Sequence, residues 1–459
     1  MWTAVVPFLR TFFRAEVSYN EGWNIFNART VAMHGMLYPA HYGWTSVNYP
    51  MLSFAIMAAL GRITHEPLFT ARVVSLISLI ACGLLVAAIV RQLGGSARAG
   101  MLAGMYCVAL FCANANGYVG MDDPQMLAQV FFLAGLLVFL WRRRSLAAIA
   151  AAALLFVVGG CVKHTPIDFP LAVLVELLLV SMPLALWFSL CGICFAAIAF
   201  ALNVHFGGPG FFAELVAPRS YVWTFIPDQV LVVFGPLLLP FCAAVYAAFT
   251  MRKDETKRIA AILLAIALVV GSYFAGGTGV TINCLFSAVL AVAILAGLLL
   301  DDIQQQRWRW RRRSWAAYAP VVLFAWLGIP MIMWGNWNPV ARLREIRAAE
   351  IRFDDEVAFL RSQPGPVLCE SLLRCYAAGK PYEYDPFNAT RLIHFGKLDE
   401  GPMLEAVRRR SYGAVEFEGP VDDVFRTERF NSTLLTVIQE NYVPVMQNAD
   451  GAIYIPRPR

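Results

Sequence analysis

The sequence has few charged residues for its length. Only 15% of its 459 residues are Asp, Glu, Lys or Arg, whereas 59% are hydrophobic. Soluble domains carry about 25% charged residues, so this composition excludes a soluble globular protein and indicates an integral membrane protein. The net charge of +6 does not indicate nucleic-acid binding, because the basic residues lie in short clusters between apolar runs, a pattern typical of membrane topology signals.

Metal-binding cysteine pairs, internal repeats and low-complexity runs are also missing. The ten Cys residues include no CxxC…CxxC pattern, and most lie inside apolar runs, where Cys behaves as a small hydrophobic residue. Cys369 and Cys375 lie instead in the polar C-terminal part of the chain. An oxidising compartment would permit a disulfide between them. We expect two reduced thiols on one helix, because this spacing would hold the side chains too far apart.

No cleavable signal peptide is evident, and the apolar segments predict a polytopic membrane protein. The first apolar run begins almost at Met1 and is short, which indicates a partly re-entrant first span or a start site further upstream. A span needs about 20 apolar residues. We interpret 166–204 as a helical hairpin broken at Ser181–Pro183. About 11 spans are predicted, at 2–14, 69–90, 100–116, 124–141, 145–161, 166–181, 183–204, 227–250, 259–276, 283–300 and 315–335.

The segment 49–63 decides which loops lie on which side of the membrane. If it lies on the outer surface as an interfacial helix, the inner loops collect fourteen Lys and Arg residues and the outer loops before residue 336 only six. That distribution follows the positive-inside rule, so we assign the segment to the outer surface. The same choice places on that face the loops 117–125, 162–168, 203–221 and 276–283 and the residues from Asn336 onwards.

Residues 336–459, called the tail below, predict a small extracytoplasmic α/β domain after a membrane module of residues 1–335. That module includes the outer loop and interfacial helices of 14–68. In the tail, polar residues break the apolar runs, and roughly a hundred residues can bury a core of their own. The predicted elements are strands at 366–370 and 413–417, an amphipathic helix at 399–410 and a hairpin at 442–456.

The stretch from Arg14 to Pro50 concentrates acids, amides and aromatic residues between two apolar regions. Glu16 and Glu21 are candidates for a general base, because a carboxylate at the membrane surface can take a proton from an attacking hydroxyl or amine. A solvated loop with interfacial aromatic anchors is the alternative. We favour the functional interpretation, because other loops on the predicted outer face carry matching chemistry.

Asp122 and Asp123 precede Pro124 at the head of a predicted span. Helix capping is one interpretation, and the adjacent Pro supports it. Two neighbouring acids exceed what a cap needs, so a divalent metal ion or a contact with the acceptor is the other interpretation.

Lys163 and His164 follow a span on the same predicted face, where the positive-inside rule disfavours an isolated cation. A phosphate partner would explain the lysine, since its ammonium group is a good point charge for phosphate. Arg219 in the next outer loop is a candidate for a second phosphate contact. Both cations could instead extend to the membrane surface as anchors.

Several motifs together resemble a known family. YNEGWNIFNAR, GMLYP, NYPML and GRI…ARVVS are similar to the first outer loop of GT-C glycosyltransferases of the protein-O-mannosyltransferase and aminoarabinose-transferase type. GMDDPQMLAQ resembles their second outer loop and VKHTPIDFPLA their lysine-bearing loop. The resemblance covers most of residues 14–290, with a looser match in the tail. It implies a multi-span enzyme that uses a polyprenyl-phosphate sugar at the outer face, with a first-loop carboxylate as base.

The sequence differs from that family at the position of the catalytic base. Many members carry an Asp-Glu pair in the first loop, with the Asp as base, and the matching pair here is Asn20-Glu21. Glu21 is then the nearest candidate, with Glu16 and Asp122 behind it. We expect substrate binding by Lys163, His164, Arg219, Asn20, Tyr49 and Asn283.

The predicted function is therefore sugar transfer from a polyprenyl-phosphate donor to a glycan, lipid or protein acceptor at the outer face of the bacterial inner membrane. The predicted cofactor is a divalent metal ion at Asp122 and Asp123, or otherwise none, and membrane lipids are expected partners. A transporter or flippase of lipid-linked glycans is the alternative. Transporters usually place ionisable residues at the bilayer midplane and often have paired halves. A catalytically inactive scaffold is a third reading, supported by Asn20 alone.

Overall fold

A computed structural model describes residues 2–305, 313–419, 428–448 and 450–458. Ahead of the tail the chain is helical. The helices are α1 (Val5–Arg10), α2 (Asn20–Ala32), α3 (Leu52–Thr64), α4 (Pro67–Gln92), α5 (Ala97–Asn114), α6 (Gln125–Trp141), α7 (Leu146–Val162), α8 (Asp168–Val180), α9 (Met182–Gly207), α10 (Phe211–Leu215), α11 (Phe225–Phe234), α12 (Leu238–Met251), α13 (Arg258–Ala275), α14 (Phe286–Gln304), α15 (Arg313–Trp326) and α16 (Gly328–Met333).

Helix α14 is the centre of the membrane module. Its sequence is apolar on every face, and 16 of its 19 residues are buried. A helix that is hydrophobic all round belongs inside a bundle. Helices α4, α5, α12 and α13 pack around it, and their buried side chains belong to the same core.

Five helical segments in the described part of the chain are long and apolar enough to cross a membrane: α4, α5, α9, α13 and Ile282–Gln304. Helices α11 and α12 would form a sixth span if their 95° bend is counted within one span. Shorter apolar helices occupy the predicted spans 124–141 and 145–161. The number of eleven spans therefore stays a prediction.

Two predicted spans differ from the structure in detail, and a third divides as predicted. The run at 2–14 forms a 3-10 turn and the six-residue α1, which rises only about 9 Å at 1.5 Å per residue. The run at 227–250 is broken between α11 and α12 at Gly235–Leu237, since Pro236 has no N–H to continue the helix. The run at 166–204 divides at Ser181 into α8 and α9, as predicted.

The first polar stretch is helical rather than a loop. Helix α2 covers Asn20–Ala32, and eight of its 13 residues are buried. It packs against α3, which is the helix predicted at 49–63, and against the tail. The position of α3 at the membrane surface stays a prediction.

The tail contains the predicted strands and hairpin. Its elements are α17 (Pro339–Ser362), β1 (Val367–Cys369), α18 (Leu372–Ala377), α19 (Pro386–His394), α20 (Gly401–Arg408), β2 (Ala414–Glu418), α21 (Ser432–Asn441), β3 (Tyr442–Gln447) and β4 (Gly451–Pro456). The sheet order is β1-β2-β4-β3. Strands β1 and β2 are parallel, and β3 and β4 form the antiparallel hairpin.

The prediction of two reduced thiols at Cys369 and Cys375 is wrong. The two residues form a disulfide, with their Cα atoms 6.0 Å apart. They do not share a helix, because Cys369 ends β1 and Cys375 lies in α18. The chain turns between them at Glu370 and Ser371, which brings the sulfur atoms together.

Candidate active site

A cavity of about 660 Å³ lies between the polar loops of the membrane module and the tail. Its wall includes the N-terminal turn of α2, the loops after α7 and α10, the segment joining α13 to α14, and α19 of the tail. All six residues predicted to bind substrate line it: Asn20, Tyr49, Lys163, His164, Arg219 and Asn283. A second cavity of about 500 Å³ lies between α12, α14 and α15, and its described lining residues carry no charge.

Lys163 is held by a short hydrogen-bond network centred on Asp123. Its Nζ lies 3.0 Å from Oδ1 and 3.3 Å from Oδ2 of Asp123, and 4.9 Å from the centre of the Tyr49 ring. Asn20 donates a hydrogen bond of 3.3 Å from Nδ2 to Asp123. Burial opposes the charge of Lys163, but Asp123, Tyr49 and Tyr118 together outweigh burial and raise the pKa of Lys163 above its usual value. Lys163 is therefore a fixed cation in the cavity wall.

His164 lies beside this cation as a neutral ring. Its ring centre is 6.1 Å from that of Tyr49. Burial and the positive charges of Lys163 and Arg219 lower the pKa of His164 to about 4. At neutral pH the imidazole is uncharged and contributes a polar surface to the cavity wall.

The cavity is lined by more cations than the sequence motifs indicated. Arg219 forms no hydrogen bond or ion pair within the described residues, and burial lowers its pKa. The tail adds Arg391 and Arg429. The Arg429 guanidinium lies 3.6 Å from the centre of the Tyr19 ring. The described carboxylates in the lining are Asp228 and Glu428, so the cavity has an excess of positive charge that suits an anionic ligand.

Glu21 has a different environment from the one predicted. It is fully buried in the first turn of α2 and is not among the residues that line the cavity. Arg72 donates to it twice, from Nε to Oε1 at 2.7 Å and from Nη2 to Oε2 at 2.6 Å. The backbone N–H groups of Val17 and Asp122 also donate to its carboxylate. This geometry argues against Glu21 as the general base, because both oxygens are occupied.

The two reserve candidates for the base also lie outside the cavity wall. Glu16 faces the tail, where Ser371 donates a hydrogen bond to it. Asp122 is buried, and its backbone carbonyl accepts a 2.6 Å hydrogen bond from Asn24. Burial, together with the charges of Glu21 and Asp123, raises the pKa of Asp122 well above its usual value.

Asp122 and Asp123 do not fit the predicted metal site. Asp123 already accepts from Lys163, Asn20 and the backbone of Gln125. An ammonium group 3.0 Å from the carboxylate would repel a divalent cation, since like charges at this distance interact unfavourably. Within the described ranges, no group of three or more His, Cys, Asp or Glu side chains is arranged to hold a metal ion.

The sequence motifs missed the contribution of the tail to the cavity. Asp385 caps α19 and accepts hydrogen bonds of 2.8 Å from both Tyr19 Oη and Trp23 Nε1 of the first loop region. These bonds fix α19 against α2. Charged residues are common throughout the tail, so no local pattern distinguishes Asp385 or Arg391 from solvated surface residues.

No family model matches the sequence, and no curated protein sequence matches it. Solved structures do match. ArnT from Cupriavidus metallidurans, bound to undecaprenyl phosphate, superposes with a TM-score of 0.65 at 14% identity, covering 98% of this chain and 96% of that one. The oligosaccharyltransferase AglB from Archaeoglobus fulgidus, in complex with an inhibitory peptide and a dolichol-phosphate, superposes with a TM-score of 0.52 at 12% identity. This match covers 99% of this chain and 74% of that one. The Archaeoglobus fulgidus oligosaccharyltransferase in complex with Zn and sulfate superposes with a TM-score of 0.56 at 11% identity, covering 95% of this chain and 69% of that one.

These similarities define the fold. The chain is an integral membrane protein with the GT-C fold of ArnT and AglB, and the match extends over nearly its full length. The resemblance read from the sequence motifs is thereby confirmed at the level of fold.

Proposed function

We propose that this protein transfers a sugar from a polyprenyl-phosphate donor to an acceptor on the extracytoplasmic side of the bacterial inner membrane. The observation that carries the proposal is the cation-lined cavity of Lys163, Arg219 and Arg391 at one end of a GT-C helical module. Relatives in fold have been solved with undecaprenyl phosphate and with dolichol-phosphate. A lipid tail accounts for placing such a cavity next to apolar helices.

The chemistry is a displacement at the anomeric carbon. The acceptor atom forms a bond to that carbon while the bond from the carbon to the phosphate oxygen breaks. The electron pair leaves with the phosphate, whose negative charge grows. Fixed cations stabilise that charge without reorganising, which is the usual route by which a site lowers such a barrier. Lys163, oriented by Asp123, and Arg219 are the groups assigned to this role.

The acceptor's proton needs a different base from Glu21. A base must lie within hydrogen-bond reach of the proton that it takes. Asp228 and Glu428 are the described carboxylates in the cavity wall, so we assign general-base chemistry to one of them where the acceptor carries a hydroxyl or amine. Asn20 stands where the family's base is expected, and its hydrogen bond to Asp123 gives it a positioning role.

Binding of undecaprenyl phosphate to the purified protein in detergent tests the proposal. Lys163→Ala should weaken binding about tenfold or more, because a charge-assisted contact to phosphate is lost. His41→Gln, at an exposed residue outside the cavity lining, is the matched control and should bind like wild type. Wild-type protein that does not bind the lipid phosphate would contradict the proposal.

A further inference from the structure

Arg391 is a buried cation without a hydrogen-bond partner for two of its nitrogen atoms. Only 7% of the residue is exposed. Its Nε and Nη2 atoms are buried and form no hydrogen bond within the described part of the chain. The residue lines the cavity. Burying an unpaired guanidinium is unfavourable, so this arrangement is explained by a ligand that supplies the missing hydrogen-bond acceptors.

Two carboxylates lie near Arg391 without a direct ion pair to it among the described residues. Asp385 accepts from Tyr19, Trp23 and Asn388. Glu214 accepts from Ser46 through one oxygen, and its other oxygen, Oε1, is buried without a hydrogen-bond partner among the described residues. Both carboxylates act on the charge of Arg391 through space, but neither accepts a hydrogen bond from its Nε or Nη2. These two donors are therefore left for a ligand in the cavity.

Arg219 and Arg391 line the same cavity. Burial and the like charge of Arg219 lower the pKa of Arg391 to about 10. Two guanidinium groups that repel each other in one cavity form a favourable site once an anion lies between them. Arginine suits phosphoryl oxygens in particular, because its planar donors can bind two oxygens at once.

The position of Arg391 is set by the first loop region. Asp385 caps α19 and is held by Tyr19 and Trp23. A Cβ added at Gly279 would lie 2.1 Å from the Phe387 ring, so the segment joining α13 to α14 also packs closely on this helix. Helix α19 is thus held by two separate parts of the membrane module.

We propose that Arg391, together with Arg219, binds the phosphoryl group of the donor lipid, so that the tail forms part of the donor site. This assignment rests on the proposed function. It makes the tail a substrate-binding element, and it predicts that donor affinity depends on a residue far along the chain from the family motifs.

The test is titration of full-length protein in detergent with undecaprenyl phosphate, with inorganic phosphate as competitor. Arg391→Gln should raise Kd about ten- to a hundredfold and weaken competition by inorganic phosphate. Arg391→Lys should raise Kd several-fold, since lysine keeps the charge but not the paired donors. Arg409→Gln removes an exposed arginine of the tail that pairs with Glu405 and should bind like wild type.

Unfolding temperatures of the same samples separate binding from folding. If Arg391→Gln does not fold, the lysine variant decides: a raised Kd at an unchanged unfolding temperature supports the assignment, and an unchanged Kd overturns it. An Arg391→Gln protein that binds as wild type does, while Lys163→Ala loses binding, would overturn this inference and leave the proposed function standing. Wild-type protein that binds no lipid phosphate would overturn both.

Discussion

At the scale of single residues, Glu21 and Arg72 form a buried ion pair, and we predict that Glu21 stabilises the fold rather than acting as the base. Both side chains are almost completely buried, at 0% and 1% exposure. Removing one partner of such a pair typically costs about 3–5 kcal/mol, because the other charge is left uncompensated. We expect Glu21→Gln to lower the unfolding temperature and to lose activity in proportion to the folded protein lost.

The Asp228→Asn variant should be compared with Glu21→Gln in unfolding temperature and in turnover. Asp228 is exposed and lines the cavity, so this variant should keep its unfolding temperature. If Asp228 is the base, turnover should fall about 10²–10⁴-fold. A stable Glu21→Gln protein with a comparable loss of turnover would return the role of base to Glu21.

His164 gives the protein a pH-dependent stability. Its pKa is lowered to about 4 in the folded protein by burial and by Lys163 and Arg219, against about 6.5 in an unfolded chain. Between these values the unfolded chain binds a proton that the folded protein does not, so stability falls as the pH falls from about 6.5 to about 4. His164→Gln should reduce this loss in thermal unfolding measured at pH 7 and pH 5. The exposed His41→Gln variant should behave like wild type, and an equal loss in all three proteins would contradict the assignment.

At the scale of elements, helix α2 depends on the close approach of α18. A Cβ added at Gly22 would lie 2.1 Å from the backbone nitrogen of Leu373, closer than any contact that could persist without movement. Gly22→Ala should therefore displace α18 and destabilise the protein by about 1–3 kcal/mol. Gly192→Ala in α9, where an added Cβ meets nothing within 4 Å, is the control and should not destabilise. Equal unfolding temperatures for Gly22→Ala and wild type would contradict the packing.

The disulfide also holds α18, because Cys375 lies in that helix. Cys369 and Cys375 close a short loop between β1 and α18, and a loop of this size contributes about 2 kcal/mol through the unfolded chain. Under denaturing conditions, labelling should find eight free thiols without reductant and ten with it. The double serine variant should unfold at lower temperature than wild type. Ten free thiols in the unreduced protein would contradict the bond.

Particular elements show what could be predicted from the sequence. The six predicted substrate-binding residues line one cavity, and the sequence indicated this because the loops that carry them were all predicted on one face of the membrane. Partners distant in the chain were not predictable from local pattern: Arg72 lies 51 residues after Glu21, and Asp385 lies 366 residues after Tyr19. The disulfide was missed because the boundary between β1 and α18 falls between its two cysteines.

At the scale of the whole molecule, the distribution of Lys and Arg predicts that the tail lies outside the cytoplasm. Fourteen basic residues on the predicted inner loops against six on the outer ones support this orientation. A reporter enzyme that is active only in the cytoplasm, fused to the C-terminus, should be inactive. The same reporter fused within the loop 252–258 should be active and serves as the control. An active C-terminal fusion would reverse the side on which the cavity lies.

We propose that the protein transfers sugar from a lipid phosphate rather than moving a lipid-linked glycan across the membrane. The direct measurement uses proteoliposomes that contain polyprenyl phosphates carrying different labelled sugars, with candidate acceptors outside. We predict that wild-type protein moves label from the lipid to an acceptor and releases polyprenyl phosphate, while Lys163→Ala does neither. Label that stays on the lipid while the lipid changes leaflet would contradict the claim and identify a transporter.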